Sequence, residues 1–361
     1  MRIEPGLRTG KVEVPPSKSH EHRLLIANFL AGERGSLEPA EGDNADILAT
    51  KRCLRALAAG DPEPVFDCGE SGSTLRFLAP VAAALGRRPA FVRSGRLAER
   101  PFKEYATLEA GVHELSGGVS SQFATGLLFA LPLMEGDSRI VFSSPLESRG
   151  YVDMTLDVIR RAGVEIEEFD GGFSVRGGQK FRAQSVAVER DWSGAAFWCA
   201  MNALGSEVDF GAMPQASLQP DRAVVRLARD LPREIDVSQF PDIFPALAIV
   251  AAGIARRTRF TGIGRLRIKE CDRAAAMADV LGRFGITVAE TETDFTVDGT
   301  GGAFAGGGAF TARGDHRIAM AVAAGATRAE GAVELDDPGC AKKSYPGFFA
   351  QFLNLERKII V

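Results

Sequence analysis

Two kinds of apolar pattern alternate along the chain. Six segments are apolar on every face and open at small or acidic residues: 19–32, 72–86 and 120–134, then 191–205, 241–253 and 315–325. Helices with no polar face must be buried, so each half of the chain is expected to pack several of them beneath sheets. The second kind is apolar on one face and leads into an alternating strand. Residues 153–163 carry Met154, Leu156, Val158, Ile159 and Ala162, followed by Val164-Glu165-Ile166 and a turn at Asp170-Gly171-Gly172. Residues 269–285 repeat this through Met277, Val280, Leu281 and Phe284, then Ile286-Thr287-Val288, and 46–60 and 104–111 read as weaker copies. The order is a repeated α-β-β unit. Three buried helices in each half predict an α/β (α+β) protein of two similar domains, each a threefold repeat, with a boundary near Glu189.

Composition narrows the class of partner. The chain has 361 residues, 45% hydrophobic and 25% charged, which fits an ordinary globular protein of two domains. A formal net charge of −4 argues against a generally basic nucleic-acid binder but leaves room for a local basic site. The five cysteines are scattered with no C-x-x-C pair, the pattern of reduced thiols in a cytoplasm. No apolar run approaches a membrane span, and Met1-Arg2-Ile3-Glu4-Pro5 lacks the apolar core of a signal peptide. Of the four histidines only His20 and His22 are close, without metal-ligand spacing, so no metal cofactor is expected.

The polar residues of interest sit where the helices begin. Ser17-Lys18-Ser19 places a hydroxyl cap at Ser19 beside an ammonium, with Arg23 one turn later. Such a gathering at a helix start suits an anion, and equally suits a capped helix with a solvated basic first turn. The run from Asp67 through Glu70-Ser71-Gly72-Ser73-Thr74 to Arg76 is either a glycine-rich ligand loop or a tight turn with a cap. Arg96 and Arg100 flank Glu99, as ion-paired surface arginines also do. Gly118-Val119-Ser120-Ser121-Gln122-Phe123 is sharper, offering two hydroxyls and an amide where one cap suffices. Ser148 and Tyr151 add hydroxyls before the helix at 153. Asp242, after Pro241, reads as a cap or a general base. Lys269-Glu270-Cys271-Asp272-Arg273 puts Lys269 and Arg273 on one helical face, a charge-laced surface or a second anion clamp. Gly314-Asp315-His316-Arg317 leaves a guanidinium before a buried helix, and Lys342-Lys343-Ser344-Tyr345-Pro346 adds two ammonium groups.

In this order, the motifs Pro16-Ser17-Lys18-Ser19 with Arg23, Val119 to Phe123, Pro241-Asp242, Lys269 to Arg273, Asp315-His316-Arg317 and Lys343 to Pro346 resemble the 5-enolpyruvylshikimate-3-phosphate (EPSP) synthase, or 3-phosphoshikimate 1-carboxyvinyltransferase, family. The resemblance runs from the first helix to the C-terminus. It implies two domains, each of three βαβαββ copies, with a cleft between them. Residues 1–14 and 189–361 would form one domain and 15–188 the other. The implied reaction moves the enolpyruvyl group of phosphoenolpyruvate to the 5-hydroxyl of shikimate 3-phosphate and releases phosphate, a step of the shikimate pathway. Ser120, Ser121, Ser148 and Lys269 would hold the shikimate phosphate, Ser19 and Arg23 its carboxylate, and Gln122 and Tyr151 its ring. Lys18, Arg96 and Lys343 would take the phosphate of phosphoenolpyruvate, with Gln122 also near it, and Arg273 and Arg317 its carboxylate. Gly72 would leave room for the inhibitor glyphosate. Glu270 would deliver a proton to the methylene carbon, and Asp242, which also touches shikimate 3-phosphate, would take one from the attacking hydroxyl, with Lys18 as a further participant. The resemblance implies no cofactor and small anionic substrates only, in a cytoplasmic monomer without nucleic-acid or membrane partners.

The chain departs from the family at Glu70 and Arg265, where Asn is common, at His20-Glu21-His22, and at Gly150, where Pro is common. It is also shorter than is typical, which trimmed loops would explain. An enzyme like UDP-N-acetylglucosamine enolpyruvyl transferase, an RNA 3′-phosphate cyclase, and a non-catalytic shikimate-phosphate-binding relative are the alternatives. The first usually has Lys-Asn where this chain has Lys18-Ser19, and a loop cysteine that the Arg96 region lacks. Low aromatic content and overall acidity disfavour the second.

Overall fold

The six all-apolar segments form helices in the computed structural model, which describes residues 1–358. From the N-terminus, β1 (Arg2–Ile3) and β2 (Leu7–Lys11) precede α1 (Lys18–Leu30), α2 (Ala45–Ala58), β3 (Val65–Asp67), α3 (Gly72–Ala84) and β4 (Ala90–Val92). There follow β5 (Val112–Leu115), α4 (Ser121–Ala130), β6 (Ser138–Phe142), α5 (Arg149–Arg161), β7 (Ile166–Phe169) and β8 (Gly172–Val175). The chain continues through α6 (Trp192–Ala203), β9 (Glu207–Asp209), α7 (Val224–Arg229), β10 (Glu234–Asp236), α8 (Phe244–Ala252), β11 (Arg257–Thr261) and α9 (Arg273–Arg283). It ends with β12 (Thr287–Glu290), β13 (Asp294–Asp298), β14 (Gly308–Phe310), α10 (His316–Ala326), β15 (Val333–Leu335), α11 (Phe348–Asn354) and β16 (Glu356–Lys358). None of the described helices is long and apolar enough to cross a membrane.

Contacts divide the chain into two compact units. Unit 1 joins Met1–Pro15 to the chain from Arg190 on, and unit 2 is Pro16–Glu189. Each holds one complete βαβαββ copy. In unit 2, β5-α4-β6-α5-β7-β8 gives a sheet ordered β5-β6-β8-β7, with β5 parallel to β6 and the other pairs antiparallel. In unit 1, β10-α8-β11-α9-β12-β13 repeats this as β10-β11-β13-β12 with the same orientations. Unit 1 adds two three-stranded sheets, β1-β15-β14 and β16-β2-β9, whereas unit 2 adds only the parallel pair β3-β4. Residues 31–44 and 176–189 of unit 2 carry no strand, so α1 has no sheet beside it.

Packing within each unit follows from the composition of the buried helices. Every residue of α8 and α10 is buried. Phe244 at the head of α8 meets Phe260 and Phe295 edge-on at 5.4 and 5.3 Å, arrangements worth about 0.5–1.5 kcal/mol each beyond area burial. In unit 2, α3 and α4 touch backbone to backbone. A side chain at Gly126 would stand 2.3 Å from the Arg76 carbonyl, the carbonyl that Pro80 leaves without its helical N–H. That approach sets the heads of α3 and α4 side by side.

Three local expectations are corrected. The N-cap of α1 is Ser17 rather than Ser19, which lies inside the first turn. Residues 104–111 form no helix, since Leu108 is their one buried side chain and cannot offset the cost of nucleation. Lys269 and Glu270 precede α9 instead of opening it. Asp272 caps that helix by accepting from the Ala275 N–H, so Lys269 and Arg273 are not one turn apart on a helical face.

Candidate active site

In unit 1, charged residues converge on one buried guanidinium. Arg273, only 1% exposed, opens α9 and donates Nε to Asp315 at 2.8 Å, Nη1 to Asp242 at 2.9 Å and Nη2 to Glu270 at 2.7 Å. Asp315 is fully buried and serves twice, because it also caps α10 through the Arg317 N–H at 2.9 Å. Asp242, in the 3-10 turn Pro241–Ile243 ahead of α8, is reached in addition by Lys269 at 3.2 Å and Arg317 at 3.0 Å. Lys343 lies 3.9 Å from Glu270. Six residues that are scattered over a hundred positions in sequence thus share one site, together with Asp315.

The electrostatics follow from that crowding. Burial would raise the Asp242 carboxyl, but Arg317, Lys269 and Arg273 hold it well below the usual carboxylate range. Burial lowers Lys269 to about 8, against the pull of Asp242. For Arg273, burial is outweighed by Asp315, Glu270 and Asp242, which lift it well above its ordinary value. Four cations, Lys269, Arg273, Arg317 and Lys343, thus stand within 4 Å of Asp242 or Glu270.

Unit 2 gathers the other candidates at helix heads, mostly with neutral groups. Ser120 caps α4, accepting from the Gln122 N–H at 3.2 Å, and Ser121 follows it. The Gln122 amide accepts from Arg76 at 2.6 Å and donates to Ser73 at 3.0 Å, a link made possible by the α3–α4 contact. Ser148 precedes α5 in the left-handed conformation, φ 55°, which is uncommon for a serine and typical of functional turns. Arg23 is buried beneath this surface. It donates to Thr155 at 2.8 Å, to the Tyr151 carbonyl at 2.8 Å and to the Ser19 carbonyl. Lys18 pairs with Asp46 at 2.8 Å, both largely buried. Arg96 lies in the 3-10 turn Gly95–Ala98, where Gly95 stands against the Glu70 side chain. Arg76 and Arg100 face Gly72, where an added Cβ would stand 2.6 and 3.3 Å from their guanidinium nitrogens. Sequence reasoning missed Asp46, Arg76, Arg100 and Asp315 as partners. Arg76, Arg100 and Asp315 stand within the motifs read at helix heads and turns, whereas Asp46 had no such signal. Among the described residues no group of three or more His, Cys, Asp or Glu side chains is placed to hold a metal ion.

The fold is that of the enolpyruvyl transferases. EPSP synthase from Acinetobacter baumannii superposes with a TM-score of 0.75 at 22% identity, covering 100% of this chain and 99% of that one. The enolpyruvyl transferase NikO from Streptomyces tendae gives 0.68 at 15% identity, covering 99% and 97%. The EPSP synthase (3-phosphoshikimate 1-carboxyvinyltransferase) family model matches residues 101–235 and 219–352. Proteins named 3-phosphoshikimate 1-carboxyvinyltransferase from Clostridium perfringens and Clostridium kluyveri are 34% and 35% identical, over 98% and 99% of this chain and 97% of each relative. The chain belongs to the EPSP synthase family. The alignment with the C. perfringens relative runs over 415 positions against 361 residues here, so that relative carries segments without a counterpart in this chain.

Proposed function

We propose that the chain transfers the enolpyruvyl group of phosphoenolpyruvate to the 5-hydroxyl of shikimate 3-phosphate and releases inorganic phosphate. The observation that carries this reading is Asp242 held among Lys269, Arg273 and Arg317, a half-buried carboxylate whose charge is balanced by groups suited to anionic substrates. Ser120, Ser121, Ser148 and Lys269 hold the phosphate of shikimate 3-phosphate, Ser19 and Arg23 its carboxylate, and Gln122 and Tyr151 its ring. Lys18, Arg96, Gln122 and Lys343 meet the phosphate of phosphoenolpyruvate at Gly72, and Arg273 and Arg317 its carboxylate.

Substrate binding then changes the base itself. A substrate carboxylate on Arg317 and Arg273, and a phosphate on Lys269, draw away the cations that keep Asp242 acidic, while the burial that raises it persists. Asp242 becomes basic enough to take the hydroxyl proton only when both substrates are present. Once substrate displaces it from Arg273, Glu270 takes up a proton from solvent, and as oxygen attacks carbon 2 of phosphoenolpyruvate it delivers that proton to carbon 3. The tetrahedral ketal collapses as Glu270 takes one methyl proton back and the carbon–phosphate oxygen bond breaks, forming the enol ether, and the proton held by Asp242 leaves with the phosphate. Lys18 neutralises the departing phosphate.

Phosphate release should be measured with phosphoenolpyruvate and either shikimate 3-phosphate or UDP-N-acetylglucosamine as acceptor. Release with the first acceptor alone is expected. Release with the second alone would reassign the substrate, and tight binding of shikimate 3-phosphate without release would make the protein a binding relative.

A further inference from the structure

Unit 2 contains a cavity of about 430 Å³ along α1, lined by Glu21, Leu24 and Leu25 of that helix. It lies beside α1, where no sheet stands, and its apolar wall is formed by Leu24 and Leu25 of α1, by Pro39 and Ala40, and by Val186 and Val188. In unit 1 the comparable place beside α6 is filled by the sheet that contains β9. The space in unit 2 is therefore a consequence of the strandless connections 31–44 and 176–189.

Glu21, Glu38, Lys51, Asn28 and Ser36 give this cavity its polar character, and Asp43 stands behind Lys51. Lys51 donates to both oxygens of Asp43, at 3.0 and 2.8 Å, and to the Glu38 carbonyl at 3.2 Å, so the Asp43 charge is met. Glu21 lines the cavity from the first turn of α1, half-buried, and its carboxylate makes no hydrogen bond or ion pair among the described residues. Burial and the neighbouring Asp43 push the Glu21 carboxyl up to about 7, with Lys51 acting against them. A half-buried carboxylate above an apolar wall suits an opposite charge carried on an apolar body.

We propose that this cavity binds a small organic cation, its ammonium paired with Glu21 and its apolar part packed on Leu24, Leu25, Val186 and Val188. Glu21 sits between Ser19 and Arg23 on the same turn, so the ligand acts on the helix that presents them. The probe is 2-phenylethylamine, with 2-phenylethanol as its uncharged counterpart, titrated calorimetrically into the full chain. The amine should bind saturably and at least about tenfold more tightly than the alcohol, the scale of one charge-assisted contact. Glu21→Gln should abolish that preference without lowering the melting temperature, since it removes a carboxyl that burial disfavours in its charged form. Ser36→Trp, at an exposed position on the cavity rim, should weaken both ligands. Absence of saturable amine binding to the wild type, or a preference that survives Glu21→Gln, would overturn the proposal.

Discussion

The two complete βαβαββ copies present different chemistry from the same positions. In unit 2 the helices after β5 and β6 begin with Ser120-Ser121-Gln122 and with Ser148 to Tyr151. In unit 1 the connections after β10 and β11 carry Asp242, and then Lys269, Glu270 and Arg273. One copy offers hydroxyls, an amide and helix N–H groups, which bind an anion without titrating. The other offers interlocked charges whose protonation depends on one another. The difference teaches that a shared scaffold fixes where groups stand, while their type decides whether a position holds substrate or moves protons.

This contrast can be broken from either side. The largest effect is expected for Asp242→Asn, which removes the base and should lower kcat by about 10²–10⁴-fold, the usual contribution of a positioned acid or base. Arg273→Lys should weaken phosphoenolpyruvate by about 2 kcal/mol, roughly thirtyfold, because a lysine cannot supply the planar fork that now reaches three carboxylates. Titration of each substrate separately checks this, and shikimate 3-phosphate should be nearly unaffected.

A pH profile sharpens the comparison further. With Lys269 at about 8 in the free protein, its ammonium is lost as pH rises through that value. The kcat/KM for shikimate 3-phosphate should then fall about tenfold per unit above pH 8, and Lys269→Arg should remove that step. The smallest effect belongs to the hydroxyl copy. Ser121→Ala should weaken shikimate 3-phosphate by about 1 kcal/mol, near fivefold, at constant kcat.

Much of the scaffold was legible because it rests on local pattern. Helices without a polar face, such as α8 and α10, announce their burial, and Gly253 marks where α8 stops, whereas α10 runs one residue past Gly325 to Ala326. The segment at Lys269 was read as helix because charges four apart imitate a helical face, whereas the Asp272 cap starts α9 later. The sheet absent beside α1 had no local signature, since strand pairing depends on distant partners. Site residues were legible as types placed at helix heads. Their pairings were not: Asp46 with Lys18, Asp315 with Arg273 and Arg76 with Gln122 join residues 28 to 46 positions apart.

Steady-state phosphate release at varied shikimate 3-phosphate, comparing Asp242→Asn with the double variant Ser120→Ala/Ser121→Ala, tests the division between the two copies directly. The account predicts that Asp242→Asn loses kcat by at least about a hundredfold while KM stays within about threefold. The double variant should raise KM by about tenfold or more with kcat nearly intact. Equal losses of kcat in both variants, or a KM effect confined to Asp242→Asn, would contradict it.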